Sequence, residues 1–144
     1  MKRLPPKRTL EEVIKLVGQH FGAMPDTDAL LGMLEEDVNM NPGKSLSFYR
    51  RVEELWANPA TRSKAINMVA IEYDDGDYLT QHTGKAIMWT MLAASKRHSG
   101  AINNLALFVA DEDEDLAFQL LMQAVEIDNN ENARENLRLA GFDV

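Results

Sequence analysis

The stretch 65–94, AINMVAIEYDDGDYLTQHTGKAIMWTMLAA, and the stretch 101–124, AINNLALFVADEDEDLAFQLLMQA, open with the same three letters. The match continues beyond them. Ala65 and Ala101 are 36 residues apart, and at that offset Ile66 pairs with Ile102, Asn67 with Asn103, Val69 with Leu105, Ala70 with Ala106 and Ile71 with Leu107. A second apolar segment of helical spacing follows each copy, where Ala86 and Ala93 pair with Ala117 and Ala124 at an offset of 31. Ala133 lies 32 residues after Ala101, and Asn136-Leu137 matches Asn104-Leu105. A helix-turn-helix unit of 31 to 36 residues therefore occurs twice and then by half, a period that marks helical solenoids.

The recurrence of alanine has a geometric reason. A small residue at a helix crossing lets two backbones approach, and a larger side chain there overpacks. One helix pair cannot bury its apolar stripe alone, so the next pair covers it. Ala65, Ala86, Ala101, Ala117 and Ala133 are the expected crossing positions.

Working outward, the chain reads as helix almost throughout. Thr9 with Glu12 forms a capping box ahead of Leu10, Val13, Ile14 and Val17. Asp26 or Thr27 caps a second helix. NMNPGKS, residues 39–45, reads as a loop by its Asn, Pro, Gly and Ser content, which starts the third helix near Ser47. Five more helices follow, the fourth closed by DDGD and the eighth by Gly141. The expected fold is all-α: a single domain over 1–144 with seven or eight helices, in which 1–58 form a divergent helical cap and 60–141 a short α-solenoid.

Composition agrees with a globular chain, at 144 residues with 45% hydrophobic and 7% aromatic content. The absence of cysteine removes disulfides, thiolate zinc sites and a cysteine nucleophile, and suits a cytoplasmic protein. No apolar run approaches a membrane span, and the N-terminus lacks the apolar core of a secretory signal. Lys2, Arg3, Lys7 and Arg8 hold four of the fifteen basic residues, leaving 11 basic against 23 acidic residues in the rest, a net of −12. Such a body repels nucleic acid and membrane surfaces and steers basic proteins.

The repeat resembles a known family on specific residues. Ala101, Leu105 and Ala106, and again Ala65, Val69, Ala70 and Tyr73, fit the first helix of the Sel-one-like repeat, a relative of the tetratricopeptide repeat. Lys85, Ala86, Trp89, Ala93 and Ala94 fit its second helix, and Asp115, Ala117 and Ala124 fit it more loosely. Arg138 and Gln123 stand where the family has small residues. The resemblance covers residues 60–141 and implies protein binding without catalysis.

Motifs for chemistry point the same way. His20, His82 and His98 have no spacing that sets two on one helix face for a metal. DEDED starts like a calcium loop, but Leu116 and Met122 stand where Gly and Glu belong. No phosphate loop or dinucleotide fingerprint occurs, so no cofactor and no enzymatic activity are expected. The candidate partner-binding residues follow from the repeat: Asn67, Asn103, Asn104 and Phe108 on first helices, and Asp74, Asp75, Asp77, Asp111, Glu112, Asp113, Glu114 and Asp115 in the two acidic turns. The expected partner is a basic protein, foremost a toxin domain neutralised by a cytoplasmic immunity protein. A repeat adaptor or regulatory scaffold and a secretion chaperone are the alternatives.

Overall fold

The computed structural model describes residues 5–144, which form eight α-helices and no β-strand. They are α1 (Leu10–Phe21), α2 (Thr27–Met40), α3 (Pro42–Ala57), α4 (Arg62–Asp75), α5 (Thr83–Ser95), α6 (Ser99–Val109), α7 (Glu114–Asp128) and α8 (Glu131–Leu139). The chain is all-α, as its periodicity predicts. Lys2 and Arg3, part of the basic N-terminal cluster, lie outside the described residues. Among the described residues no helix is long and apolar enough to cross a membrane.

Local chemistry sets most helix starts. The Thr9 hydroxyl accepts the Glu12 N–H at 3.2 Å and Asp26 accepts that of Ala29 at 2.8 Å, each satisfying an orphan donor of the first turn. Asp113 does the same for Leu116, and Asn130 for Ala133. Gly76 ends α4 at φ +74°, and its N–H reaches Glu72 O at 2.7 Å. Asn129 ends α7 in the same left-handed region at φ +57°.

One expectation is corrected. NMNPGKS is not a loop: α2 runs to Met40, α3 starts at Pro42, and Asn41 alone is non-helical. Proline is well tolerated at the first helical position, where its missing N–H has no helical partner to lose. The buried Ser45 hydroxyl donates to Val38 O and Asn41 O at 3.0 and 2.8 Å, which holds the joint closed.

The helices gather into two compact units. One is continuous, Met24–Ala93, and holds α2, α3, α4 and α5 up to Ala93. The other joins α1 to the segment Ala94–Val144 with α6, α7 and α8. In the second, α7 packs against α1, α6 and α8. Phe118 of α7 meets Phe142 edge-on, with ring centres 4.5 Å apart.

Burial recurs with the sequence offset. Ala65, Ile66, Val69 and Ala70 are buried, and so are Ala101, Ile102, Leu105 and Ala106. Ile71 and its counterpart Leu107 are both exposed, at 43% and 57%. Ala86 and Ala93 are buried as are Ala117 and Ala124, and Ala133 and Leu137 complete the pattern. Trp89 is fully buried, whereas Trp56 is half-buried with the Arg62 guanidinium 5.9 Å from its ring centre.

Candidate protein-binding surface

The acidic turn between α6 and α7 is built by two helix ends. Glu112 and Asp113 donate their N–H groups to Val109 O at 3.0 and 2.8 Å, which turns the chain sharply. Asp113 then caps α7 through Oδ1, and its Oδ2 lies 3.4 Å from His20 Nε2 of α1. Asp113 is therefore half-buried and engaged, while Asp111, Glu112, Glu114 and Asp115 are exposed. The helix dipole favours acids at this end, so the turn concentrates negative charge without disrupting α7.

The other acidic turn belongs to the continuous unit. Asp74, Asp75 and Asp77 are exposed there. Their backbone is fixed by Glu72, whose buried carboxylate accepts the N–H groups of Tyr78 and Leu79 at 2.7 and 3.0 Å. Tyr78 stacks on Phe48 with ring centres 5.7 Å apart. The expected related turns thus exist in each unit, each as a surface in its own right.

The four first-helix candidates divide by their surroundings. Asn104 and Phe108 are half-buried and, four residues apart, share a face of α6 with the exposed Leu107. Asn103, expected on the binding face, is instead buried, and its Oδ1 accepts from Asn136 Nδ2 at 3.0 Å, so it joins α6 to α8. Ser99 strengthens the same joint, donating to Asp128 at 2.6 Å and accepting from Asn130 at 3.1 Å. Asn67, the counterpart of Asn103, is half-buried, and its Oδ1 is buried without a hydrogen-bond partner, as is Trp89 Nε1.

Two sets of residues escape sequence reasoning. In the continuous unit Asp37 of α2 accepts from Tyr73 of α4 at 2.6 Å and from Lys85 of α5 at 2.8 Å. Burial works to raise the Asp37 pKa, but the bonds from Lys85 and Tyr73 and the charge of Lys85 outweigh it and hold it below its ordinary value. Burial and the Asp37 carboxylate push the Tyr73 hydroxyl well above its ordinary value, so it donates and cannot serve as a base. The three polar groups satisfy one another and tie α2, α4 and α5 together. Only their helical registers were readable in the sequence, and no local signal pairs positions 37, 73 and 85.

In the other unit, Gln119 and Gln123 of α7 are buried and bind the backbone of residues 6–8. Gln119 Oε1 accepts the Arg8 N–H at 3.2 Å while its Nε2 donates to Pro6 O. Gln123 Nε2 donates to Arg8 O at 2.6 Å. Lys7 pairs with Glu126 on the surface at 2.5 Å. One cleft beside this segment, about 270 Å³, is lined by Arg8, His20, Asp113 and Asp115 among others. A second, about 370 Å³, is walled by Met122, Val125, Leu137 and Val144. No protein-family model, curated protein or solved structure matches the chain.

Proposed function

We propose that this chain is a non-catalytic protein-binding module that captures one basic protein partner, working as a cytoplasmic immunity protein that neutralises a toxin domain by direct contact. The observation that carries the reading is the Asp111–Asp115 turn. It holds four exposed acids in five residues, on a body whose net charge is −8. Such a rim speeds encounter with a basic partner, and half-buried groups beside it, Asn104 and Phe108, set how long the complex lasts.

The fold we propose for this role is a short solenoid of Sel-one-like, tetratricopeptide-like repeats. The recurring burial of positions 65–71 and 101–107 supports it. So does the Asn103–Asn136 bond, which ties the first helix of one unit to that of the next half-unit. Two and a half repeats offer little length for a many-partner groove, which favours a neutraliser over a scaffold.

The test is affinity capture from the source cells with the wild-type chain and with Asp111→Lys/Glu112→Lys. Retention of one basic protein by the wild type, and its loss with the variant, supports the reading. Equal retention by both, or recovery of a many-component assembly, replaces it with the adaptor.

A further inference from the structure

Residues 5–9, PPKRT, form no helix and end at the Thr9 cap of α1. Their backbone is read by two buried amides of α7. Gln119 binds across residues 6 to 8 with one donor and one acceptor, and Gln123, one turn on, takes the Arg8 carbonyl. The two spacings match. Residues four apart on a helix lie about 6 Å apart along its axis. Carbonyls two residues apart in an extended or polyproline-like chain are separated by about 6 to 7 Å. None of these three bonds involves a side chain of the segment. What selects the occupant is that it be extended, and that its charge suit Glu126 on one side and Asp113 and Asp115 on the other.

We propose that this face of α7 is a binding site for an extended basic segment of the partner protein, and that the chain's own residues 5–9 hold the site as a displaceable internal occupant. The inference rests on the reading of the chain as a binder of basic protein and names where part of that partner sits. Three observations favour a foreign occupant over a purely structural strap. The side chains of Lys7 and Arg8 are exposed, and the Lys7–Glu126 pair is a surface pair of the kind that contributes little. The acidic groups run beyond the segment: Asp113 and Asp115, which line the cleft beside it, belong to the turn that also carries Asp111, Glu112 and Glu114. The apolar cleft walled by Met122, Val125, Leu137 and Val144 is also lined by Pro5 and Lys7 of the segment itself, so departure of the segment opens it to a foreign side chain. Pro5 and Pro6 limit the freedom of the free segment, so it rebinds readily when the foreign one leaves.

The probe is a fluorescein-labelled PPKRT peptide, titrated onto the full-length protein. A tethered segment competes at high effective concentration, and Lys7→Glu/Arg8→Glu sets like charge against Glu126, Asp113 and Asp115 and so weakens only the internal occupant; this variant should bind the peptide several-fold more tightly than wild type. Adding Gln119→Leu/Gln123→Leu should abolish that binding. A second readout uses the unaltered protein. Excess peptide should speed hydrogen exchange at the Arg8 N–H, which Gln119 otherwise holds. Equal binding to wild type and Lys7→Glu/Arg8→Glu, or an Arg8 exchange rate unmoved by peptide, overturns the proposal. So does a wild-type dimer that the peptide dissociates, because the occupant is then the arm of a second copy. Neither readout involves Asp111 or Glu112. Failure here leaves the capture experiment standing, and failure there leaves the peptide result standing.

Discussion

His98 accepts the backbone N–H of Ala101 on Nδ1 at 3.1 Å and so caps α6. His82 does the same for Lys85 at the start of α5, at 3.0 Å. An Nδ1 that accepts must carry a lone pair, so the cap exists only with neutral imidazole. Burial, opposed by a backbone hydrogen bond and the charge of Asp128, pulls the His98 pKa below its ordinary 6.5. The unfolded chain then takes up the proton first. The contribution of His98 is fully present above pH 6.5 and is lost as the pH falls from there to the folded value. His98→Asn keeps a capping side chain without the titration. It should lose less stability than wild type between pH 7.5 and 5.5 in urea melts. His98→Ala should cost about 1 kcal/mol at pH 7.5.

The Asp37 clamp has its pH window lower. A depressed carboxylate pKa contributes stability above the unfolded value of 3.8, lost as pH falls through the folded one. Asp37→Asn should therefore flatten the acid limb of the stability curve below pH 4. Tyr73→Phe removes a donor to a charged acceptor and should cost about 1.5 to 3 kcal/mol at pH 7. Denaturation at pH 7 and pH 3 separates the two effects.

Gly76→Ala is expected to destabilise the continuous unit by about 1 kcal/mol or more, since φ is +74° and an added Cβ would lie 2.8 Å from Gln81 Cβ. The three atoms it would meet, Gln81 Cβ, N and Cα, are fixed to the backbone, so rotation of a side chain cannot relieve the clash. Arg97, at φ +65° before α6, is the opposite case. Arg97→Gly should leave stability unchanged or raise it by up to about 1 kcal/mol. Thermal melts of the two single variants check both signs.

Ala101 is fully buried, so Ala101→Leu should cost about 1 to 3 kcal/mol by overpacking. A melting temperature equal to that of wild type would contradict a close helix crossing at this residue.

For the partner, reversal at Asp111 and Glu112 should slow association roughly ten-fold and flatten its dependence on salt, with dissociation little changed. Phe108→Ala should mainly speed dissociation. Stopped-flow or surface-based kinetics at two ionic strengths distinguish the two variants.

How far the sequence was legible depended on the range of the interaction. Thr9, Asp26 and Gly76 announced helix ends because each acts within a few residues of itself. The aligned alanines announced buried positions because burial follows helical period. NMNPGKS misled because composition does not say where in a helix a proline falls, and at Pro42 it falls at the tolerated first position. His82 and His98 were read as possible metal ligands and rejected, yet their use as caps rests on a ring orientation that no spacing encodes. Asn67 and Asn103 correspond at the 36-residue offset and were expected to act alike. They differ because Asn103 meets Asn136 and Asn67 Oδ1 meets no donor. The Gln119 and Gln123 bonds were invisible for the same reason at greater range, since their acceptors lie more than a hundred residues away.

That range bears on how the chain is assembled during synthesis. Residues 5–23 must wait for Ala94–Val144 before their unit can close, and the Met24–Ala93 unit is made in full in the interval. The later closure joins residues separated by 93 to 119 positions, a loop whose entropy delays it relative to local helix pairing. A nascent chain halted before α7 emerges therefore carries PPKRT uncovered, and a ribosome-bound intermediate offers that basic segment to any acidic surface nearby.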